Sequence, residues 1–510
     1  MKLVNLSIAA AAACLFATSA HALKTEDRNL KANGQVEYLK VPGAVNSIGE
    51  MFTEGEFYGR LRSNMFWWDW DNAVAGKTAD NNMWGLGGSL VYKTGFYKGF
   101  GATAGFYGTV PMHDDNLVGT SVTNYGKAGK DTYRTRLDGT EAAIGVVAEA
   151  YGEYKAGKTD VTVGRQMIDS IMLASNDTKM VPNTFEAAMI ENKDISNTKI
   201  RAGYIMSQKL RDHQSFHSIL AYDGTTTPAK VNENDDSGVH KGLSLKNIAS
   251  LKEDANPEMI LITAENKSIP NLKLDAEYVG IKGFFSTAIA EANYQVALGN
   301  GWTLTPGIRY LKQMDDGAGK IGGAALNGSL GNDKSGVGYN TAAASYRDPK
   351  SADGSILMER LVLANGPLSV MAGYSDVSDD ADIIAPWRGF PTGGYTRDMA
   401  QVNWIANTQS WMVKADYNFD KAGIVPGLIG ALSYADMNFD DKKMIAVASD
   451  FSDRSIVHLD LIQTFKTLPN TEFKFRFAAI DADPSKKTDT TLKVDGESYN
   501  EYRFEINYLF

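Results

Sequence analysis

The chain has 510 residues, and its acidic side chains outnumber the basic ones 61 to 51, for a formal net charge of −10. That balance argues against nucleic acid as a partner. Its single cysteine, Cys14, lies in the N-terminal apolar segment, so the remainder can supply neither a disulfide nor a catalytic thiolate. Beyond that segment no apolar run approaches the ~18 residues that a spanning helix needs, which excludes a helical membrane protein.

At the N-terminus, Lys2, an apolar stretch from Leu6 to Ala17 and then Ala20-His21-Ala22 fit a basic region, an apolar core and an A-x-A cleavage site. Residues 1–22 therefore read as a signal peptide cleaved after Ala22, and the protein as an exported one. Residues 23–55 read as a periplasmic segment too short to be a plug domain, and residues 56–510 as the body of the protein.

Along that body, period-two alternation recurs. About 18 segments show it, beginning near 56, 83, 100, 141, 160, 197, 214, 258, 271, 285, 301, 357, 367, 409, 427, 455, 471 and 500. Short breaks with turn chemistry, such as Gly299-Asn300-Gly301 and Asn365-Gly366-Pro367, alternate with long polar ones around 111–140, 168–196, 223–257, 314–356, 376–408 and 482–499. The chain ends with Tyr502, Phe504, Ile506, Tyr508 and Phe510 on one face, alternating with charged and polar residues. An export signal, aromatic strand ends and this aromatic terminus together point to an all-β fold, a transmembrane antiparallel β-barrel in a bacterial outer membrane. The terminal residues resemble the signal read by the barrel assembly machinery. An even strand number places both termini in the periplasm and the long loops outside the cell. At 16–18 strands side chains no longer fill the interior, so an aqueous channel is the expected consequence.

Gly164-Arg165-Gln166, followed by Met180-Val181-Pro182-Asn183-Thr184-Phe185, resembles the OprD-type porin family, whose third outer loop folds inward around such a motif. In the same order along the chain, Arg62 to Asp69 resembles the family's first strand, Trp84 to Gly101 its next hairpin, and Trp411 to Leu428 a late hairpin. The resemblance implies an 18-stranded monomeric or loosely trimeric pore with an inward-folded constriction loop. It also implies a ladder of basic residues guiding small solutes that carry a carboxylate. Arg62 and Lys414 match ladder positions, whereas Ser433 stands where many members carry arginine.

Strand parity reaches the lumen independently. If Leu61, Met65 and Trp67 face lipid, Tyr58, Arg60, Arg62 and Asn64 face water, because an arginine on the lipid face costs about 2–4 kcal/mol at the midplane. The same reasoning turns Arg309, Lys414, Arg476 and Arg503 inward, together with the carboxylates Asp416, Glu472 and Glu505. Asn176, Asp177, Lys179 and Asn183 are the constriction candidates, expected to face a positive band of Arg60, Arg62, Arg309 and Lys414. On one strand His213 and His217 would stand roughly 13 Å apart, too far to share an ion. No metal or cofactor is expected, and the glycine-rich Gly85-Leu86-Gly87-Gly88 lacks the Lys-Ser/Thr ending of a phosphate loop. The leading function is an outer-membrane diffusion channel for small polar or carboxylate-bearing solutes, in contact with lipid and lipopolysaccharide. A barrel hydrolase and a structural or adhesive surface barrel are the alternatives, and no short motif groups a nucleophile with a base.

Overall fold

The computed structural model describes residues 23–510 except 72–79, 113–122, 125–131, 133, 136–140, 174, 176, 212, 221–242, 244–247, 250–252, 255, 326–344, 386–393, 398, 400–403, 447–451 and 485–497. Eighteen long strands form the wall. They are β1 (Glu56–Trp70), β2 (Asp80–Lys93), β3 (Phe100–Pro111), β4 (Ile144–Ala156), β5 (Thr159–Gln166), β6 (Thr184–Asn192), β7 (Thr198–Lys209), β8 (Met259–Asn266) and β9 (Leu272–Ile281). The second half continues with β10 (Phe285–Tyr294), β11 (Trp302–Asp315), β12 (Gly354–Asn365), β13 (Leu368–Val377), β14 (Gln409–Asn418), β15 (Leu428–Asn438), β16 (Arg454–Phe465), β17 (Leu468–Ala482) and β18 (Tyr499–Leu509).

Each strand pairs antiparallel with its neighbours in sequence, and β18 pairs back onto β1 from Tyr499↔Trp70 to Leu509↔Arg60. Phe510 extends this seam: its N–H donates to the Gly59 carbonyl at 3.0 Å and its carbonyl accepts the Gly59 N–H at 2.8 Å. The sheet is therefore a closed barrel with no wall edge left unpaired, as a hydrocarbon surround requires. Among the described residues no helix is long and apolar enough to cross a membrane; the strands make the crossing.

The two ends differ. One carries tight turns in which Asn197, Asn271 and Asn300 adopt positive φ, a conformation that asparagine tolerates. The other carries the long connections, except for the three-residue link 282–284 between β9 and β10. Both ends of the barrel chain, at Glu56 and Phe510, lie at the tight-turn end.

The strand count matches the sequence reading, but two elements differ. Residues 184–192, expected within a loop, form β6, whose Phe185, Ala187 and Met189 are buried while Ile190 is exposed. Residues 214–220 do not form a strand. They make an isolated bridge, Gln208↔His217, and Ile219 and Leu220 pack into an apolar cluster inside the barrel.

That cluster explains why alternation is faint in this part of the wall. On β8, Ile260 and Ile262 face outward while Met259 and Leu261 face inward, so both sides are apolar. Long-loop segments cover the inward side: Ile383, Ile384, Tyr395 and Trp404 join the same cluster. The long connections thus do not all extend outward, because the apolar residues within them find a dry surface inside the mouth.

Residues 23–40, expected below the barrel, enter it. Arg28–Leu30 and Val36–Tyr38 form a small hairpin, and Leu23 and Leu30 pack with Leu509. Tyr38 meets the inward-facing Tyr58 ring at 4.7 Å. The chain then leaves along the rim, where Ala44–Val45 pairs parallel with Phe96–Tyr97, and a short helix, Ile48–Thr53, leads into β1.

The Gly85-Leu86-Gly87-Gly88 run sits in β2, between β1 and β3. A Cβ on Gly88 would lie 1.8 Å from the Arg60 carbonyl oxygen, and one on Gly87 2.0 Å from that of Gly108. These glycines allow two backbones to approach closely. Gly88→Val is expected to cost about 1–3 kcal/mol or more through overpacking, and Phe510→Ala to impair seam closure. Heat-modifiable migration on gels measures both, as a reduced fraction of folded barrel.

Candidate functional site in the barrel lumen

Register assembles the site from β16, β17, β18 and β1. One lumenal row runs Asp460↔Arg476, Arg476↔Arg503 and Arg503↔Phe66, and the next places Lys474 opposite Glu505 and Glu505 opposite Asn64. Parity thus turns these side chains inward, and pairing between strands far apart in sequence makes them neighbours.

The segment between β5 and β6, residues 167–183, crosses the lumen toward β1. Asp177 receives Arg60 Nη1 at 2.9 Å and Arg62 Nη1 at 3.0 Å. Glu505 receives Arg62 Nη2 at 2.7 Å and Arg60 Nη2 at 3.4 Å. The two guanidinium groups are almost fully enclosed, with side-chain exposures of 4% and 1%. Asn64 Nδ2 donates to the Lys179 carbonyl at 2.7 Å, and the Lys179 ammonium lies 3.6 Å from the Phe66 ring centroid. Arg503 approaches the same ring at 4.4 Å.

The opposite side of this segment is held by Glu277 of β9. Its carboxylate accepts the Ser170 hydroxyl at 2.8 Å and the backbone N–H groups of Ile171 and Met172 at 2.8 and 2.9 Å. Arg201 donates to the Asp169 carbonyl at 2.7 Å, and Lys209 Nζ to that of Pro182 at 2.7 Å. A loop inside a barrel has to satisfy its own backbone groups, and these wall side chains do so.

Arg60, Arg62, Asp177 and Glu505 therefore come together, while other expected members lie elsewhere. Arg309 is bound to Glu291 at 2.5 Å and stacks 4.9 Å from the Tyr395 ring, so it faces the connection between β13 and β14 rather than residues 176–183. Lys414 pairs with Asp416 at 3.1 Å on its own strand, and Arg476 with Asp460 at 3.2 Å. Arg503 pairs with Glu501 at 2.5 Å. Glu472 is buried in the same wall, and Asn183 is buried at the end of the inward segment, just before β6. Asn176 lies outside the described residues. The expected positive band is a ladder of ion pairs, because neighbouring lumenal positions supply a carboxylate to each of these cations. Ser433 lies directly between Lys414 and His458 in the register.

Sequence reading missed Arg360, Tyr395, Glu291, Asp460, Lys474, Arg211 and Arg397. Arg360 stacks on Tyr395 at 4.4 Å, and the parity of β12 would have turned it inward. Arg211 and Arg397 lie outside the wall strands, where alternation carries no information. Burial lowers the Arg397 guanidinium to about 9, and the like charges of Arg211, Arg503 and Arg476 add to the effect. Arginines from four separate chain segments thus converge.

His213 and His217 do not share a strand. Their ring nitrogens Nδ1 and Nε2 are 3.0 Å apart, because the segment turns where a strand had been expected. Among the described residues no three His, Cys, Asp or Glu side chains group as a metal site.

A closed barrel of 18 strands, narrowed from inside by its own connections and lined with ion pairs, is the architecture of an outer-membrane porin. The sequence matches the OprD family of outer membrane porins over residues 57–456, and the chain belongs to that family. Its fold is similar to that of OccK9 (OpdG) of Pseudomonas aeruginosa, with a TM-score of 0.66 and 16% identity over 90% of this chain and 99% of that one. It is similar to a BenF-like porin from Pseudomonas fluorescens, with a TM-score of 0.63 and 17% identity over 90% and 99%. It also resembles OpdK of Pseudomonas aeruginosa, determined with vanillate, with a TM-score of 0.62 and 14% identity over 90% and 99%. No curated protein matches the sequence.

Glu277→Ala would leave two backbone N–H groups and a hydroxyl without their acceptor, at about 1–3 kcal/mol for each buried group. Residues 167–183 should then loosen while the wall stays closed. Single-channel recording is expected to show higher and noisier conductance than the parent, with unchanged heat-modifiable migration.

Proposed function

We propose that this porin is a selective diffusion channel for small solutes that carry a carboxylate. The observation that carries this reading is the lumenal row in which Arg476 and Arg503 stand opposite each other on β17 and β18, with Arg211 and Arg397 within coulombic reach. Like charges are held together at a cost in a low-dielectric setting, and an anionic group passing between them relieves it. Vanillate, found with OpdK, carries a carboxylate.

The ladder of pairs supports passage rather than tight retention. A carboxylate entering beside Arg503 or Arg476 exchanges with Glu501 or Asp460, which return when it moves on. Neither selectivity nor throughput then requires a free charge. Arg60 and Arg62 tie the constriction segment to the wall through Asp177, and Lys414 with Asp416 continues the charged lining. In this reading the protein is a channel and not an enzyme. Leu23 begins the mature chain, and the aromatic face ending at Phe510 guides insertion by the assembly machinery.

The test replaces residues outside the wall, so that the barrel itself is untouched. Arg211→Gln with Arg397→Gln is expected to shift the reversal potential in a salt gradient toward cations. It should also slow benzoate entry into proteoliposomes several-fold while leaving neutral arabinose entry unchanged. The shift should be larger at low ionic strength, since the Debye length shrinks from ~10 Å at 0.1 M to ~3 Å at 1 M salt. Unchanged reversal potential and unchanged benzoate entry would reject the carboxylate reading.

A further inference from the structure

The N-terminal hairpin occupies the place where the lumenal cations would meet a solute. Its turn, residues 31–35, presents backbone carbonyls to them. The Gly34 carbonyl accepts Arg60 Nη1 at 2.6 Å. The Ala32 carbonyl accepts Lys474 Nζ at 3.1 Å and Arg476 Nη2 at 3.4 Å. The turn also touches the inward segment between β5 and β6: the Asn33 carbonyl accepts the Asp177 N–H at 2.8 Å, and Gln35 Nε2 donates to Asp169 Oδ1 at 3.1 Å. Gly34 has φ +82°, and a Cβ there would stand 2.1 Å from the Asp177 carbonyl oxygen. The fit between turn and constriction thus depends on that position being glycine.

We propose that this turn is a tethered occupant of the cationic track and a determinant of the pore's specificity: a solute carboxylate opens the path by displacing it. The proposal rests on the carboxylate reading above and adds the element with which the solute competes.

Three features support it. A carbonyl oxygen is neutral, whereas a carboxylate makes the stronger, doubly charge-assisted hydrogen bond to the same guanidinium or ammonium. A carboxylate therefore outcompetes the turn where an uncharged solute of equal size does not. Next to the turn, a small cleft is lined by Ala32, Lys414, Asp416, Asp460 and Lys474, giving a carboxylate oxygen a landing place beside the Ala32 carbonyl. The chain after the hairpin is built as a tether: Leu39, Lys40 and Val41 are exposed, and Ala44–Val45 is fixed to Phe96–Tyr97 at the rim. A displaced hairpin stays attached and returns, at a high effective concentration, once the solute has passed.

Residues 23–510 contain no cysteine, so a single introduced thiol reports on the turn. The Asn33→Cys protein in detergent is reacted with a water-soluble maleimide alone, with benzoate, or with benzamide. Benzoate is expected to speed labelling several-fold and benzamide to leave it unchanged. Deletion of residues 23–40 is expected to raise single-channel conductance several-fold, and Gly34→Val, which drives the turn off Asp177, to raise it partway. Equal labelling rates with benzoate and benzamide overturn the competition. Parental conductance in a deletion variant that shows heat-modifiable migration overturns the occupant itself. If the deletion does not assemble, parental conductance in Gly34→Val overturns it in the same way. Carboxylate preference is read separately in the deletion variant, where no turn competes. Its absence there would reject the underlying reading, whereas its presence with benzoate-independent labelling would reject only the role of the turn.

Discussion

In hydrocarbon, a backbone N–H or C=O without a partner costs several kcal/mol, and there is no water to supply one. That single constraint organises the molecule. It demands a sheet with no free edge, and the seam of β18 against β1, carried to the last residue by Phe510 and Gly59, is how the chain meets it. Eighteen strands then enclose more space than wall side chains can fill. The narrowing must come from other parts of the chain, and each backbone group buried there away from water needs a partner of its own. Glu277, Arg201, Lys209 and Asn64 answer it for residues 167–183 by bonding directly to main-chain groups.

The charged lining follows from the same geometry. Lumenal positions alternate with lipid-facing ones, so cations placed inward on adjacent strands approach each other within the reach of repulsion. Carboxylates on neighbouring rungs relieve it. Arg60 and Arg62 share Asp177 and Glu505, and breaking one partner of such an enclosed cluster is costlier than never having built it. This makes the cluster a rigid clamp on the constriction. The pairs formed by Lys414, Arg476 and Arg503 involve carboxylates from the wall alone.

Parity is a local property, and what depends on it was legible in the residues. The inward direction of Arg60, Arg62, Arg309, Lys414, Arg476 and Arg503 and the lipid-facing aromatics follow from the period of two and the cost of placing charge in lipid. Where both faces are apolar the period vanishes. β6 and β8 have buried Met189, Met259 and Leu261 on the side that usually carries polar residues, and that is why residues 184–192 read as loop. A false strand at 214 compensated in the count.

What the sequence by itself determined about this protein is therefore the wall: an exported, closed, antiparallel barrel with known residues on each face. Only the tertiary structure decided which inward residues meet. Asp177 reaching Arg60 and Arg62, Tyr395 lying across Arg309 and Arg360, and Ala32 and Gly34 capping the cations of β17 and β1 join segments separated by long stretches of chain. No periodic signal encodes such contacts. Strand pairing sets the register, and loops fold inward only when the enclosed surface offers partners for their backbone and their apolar side chains.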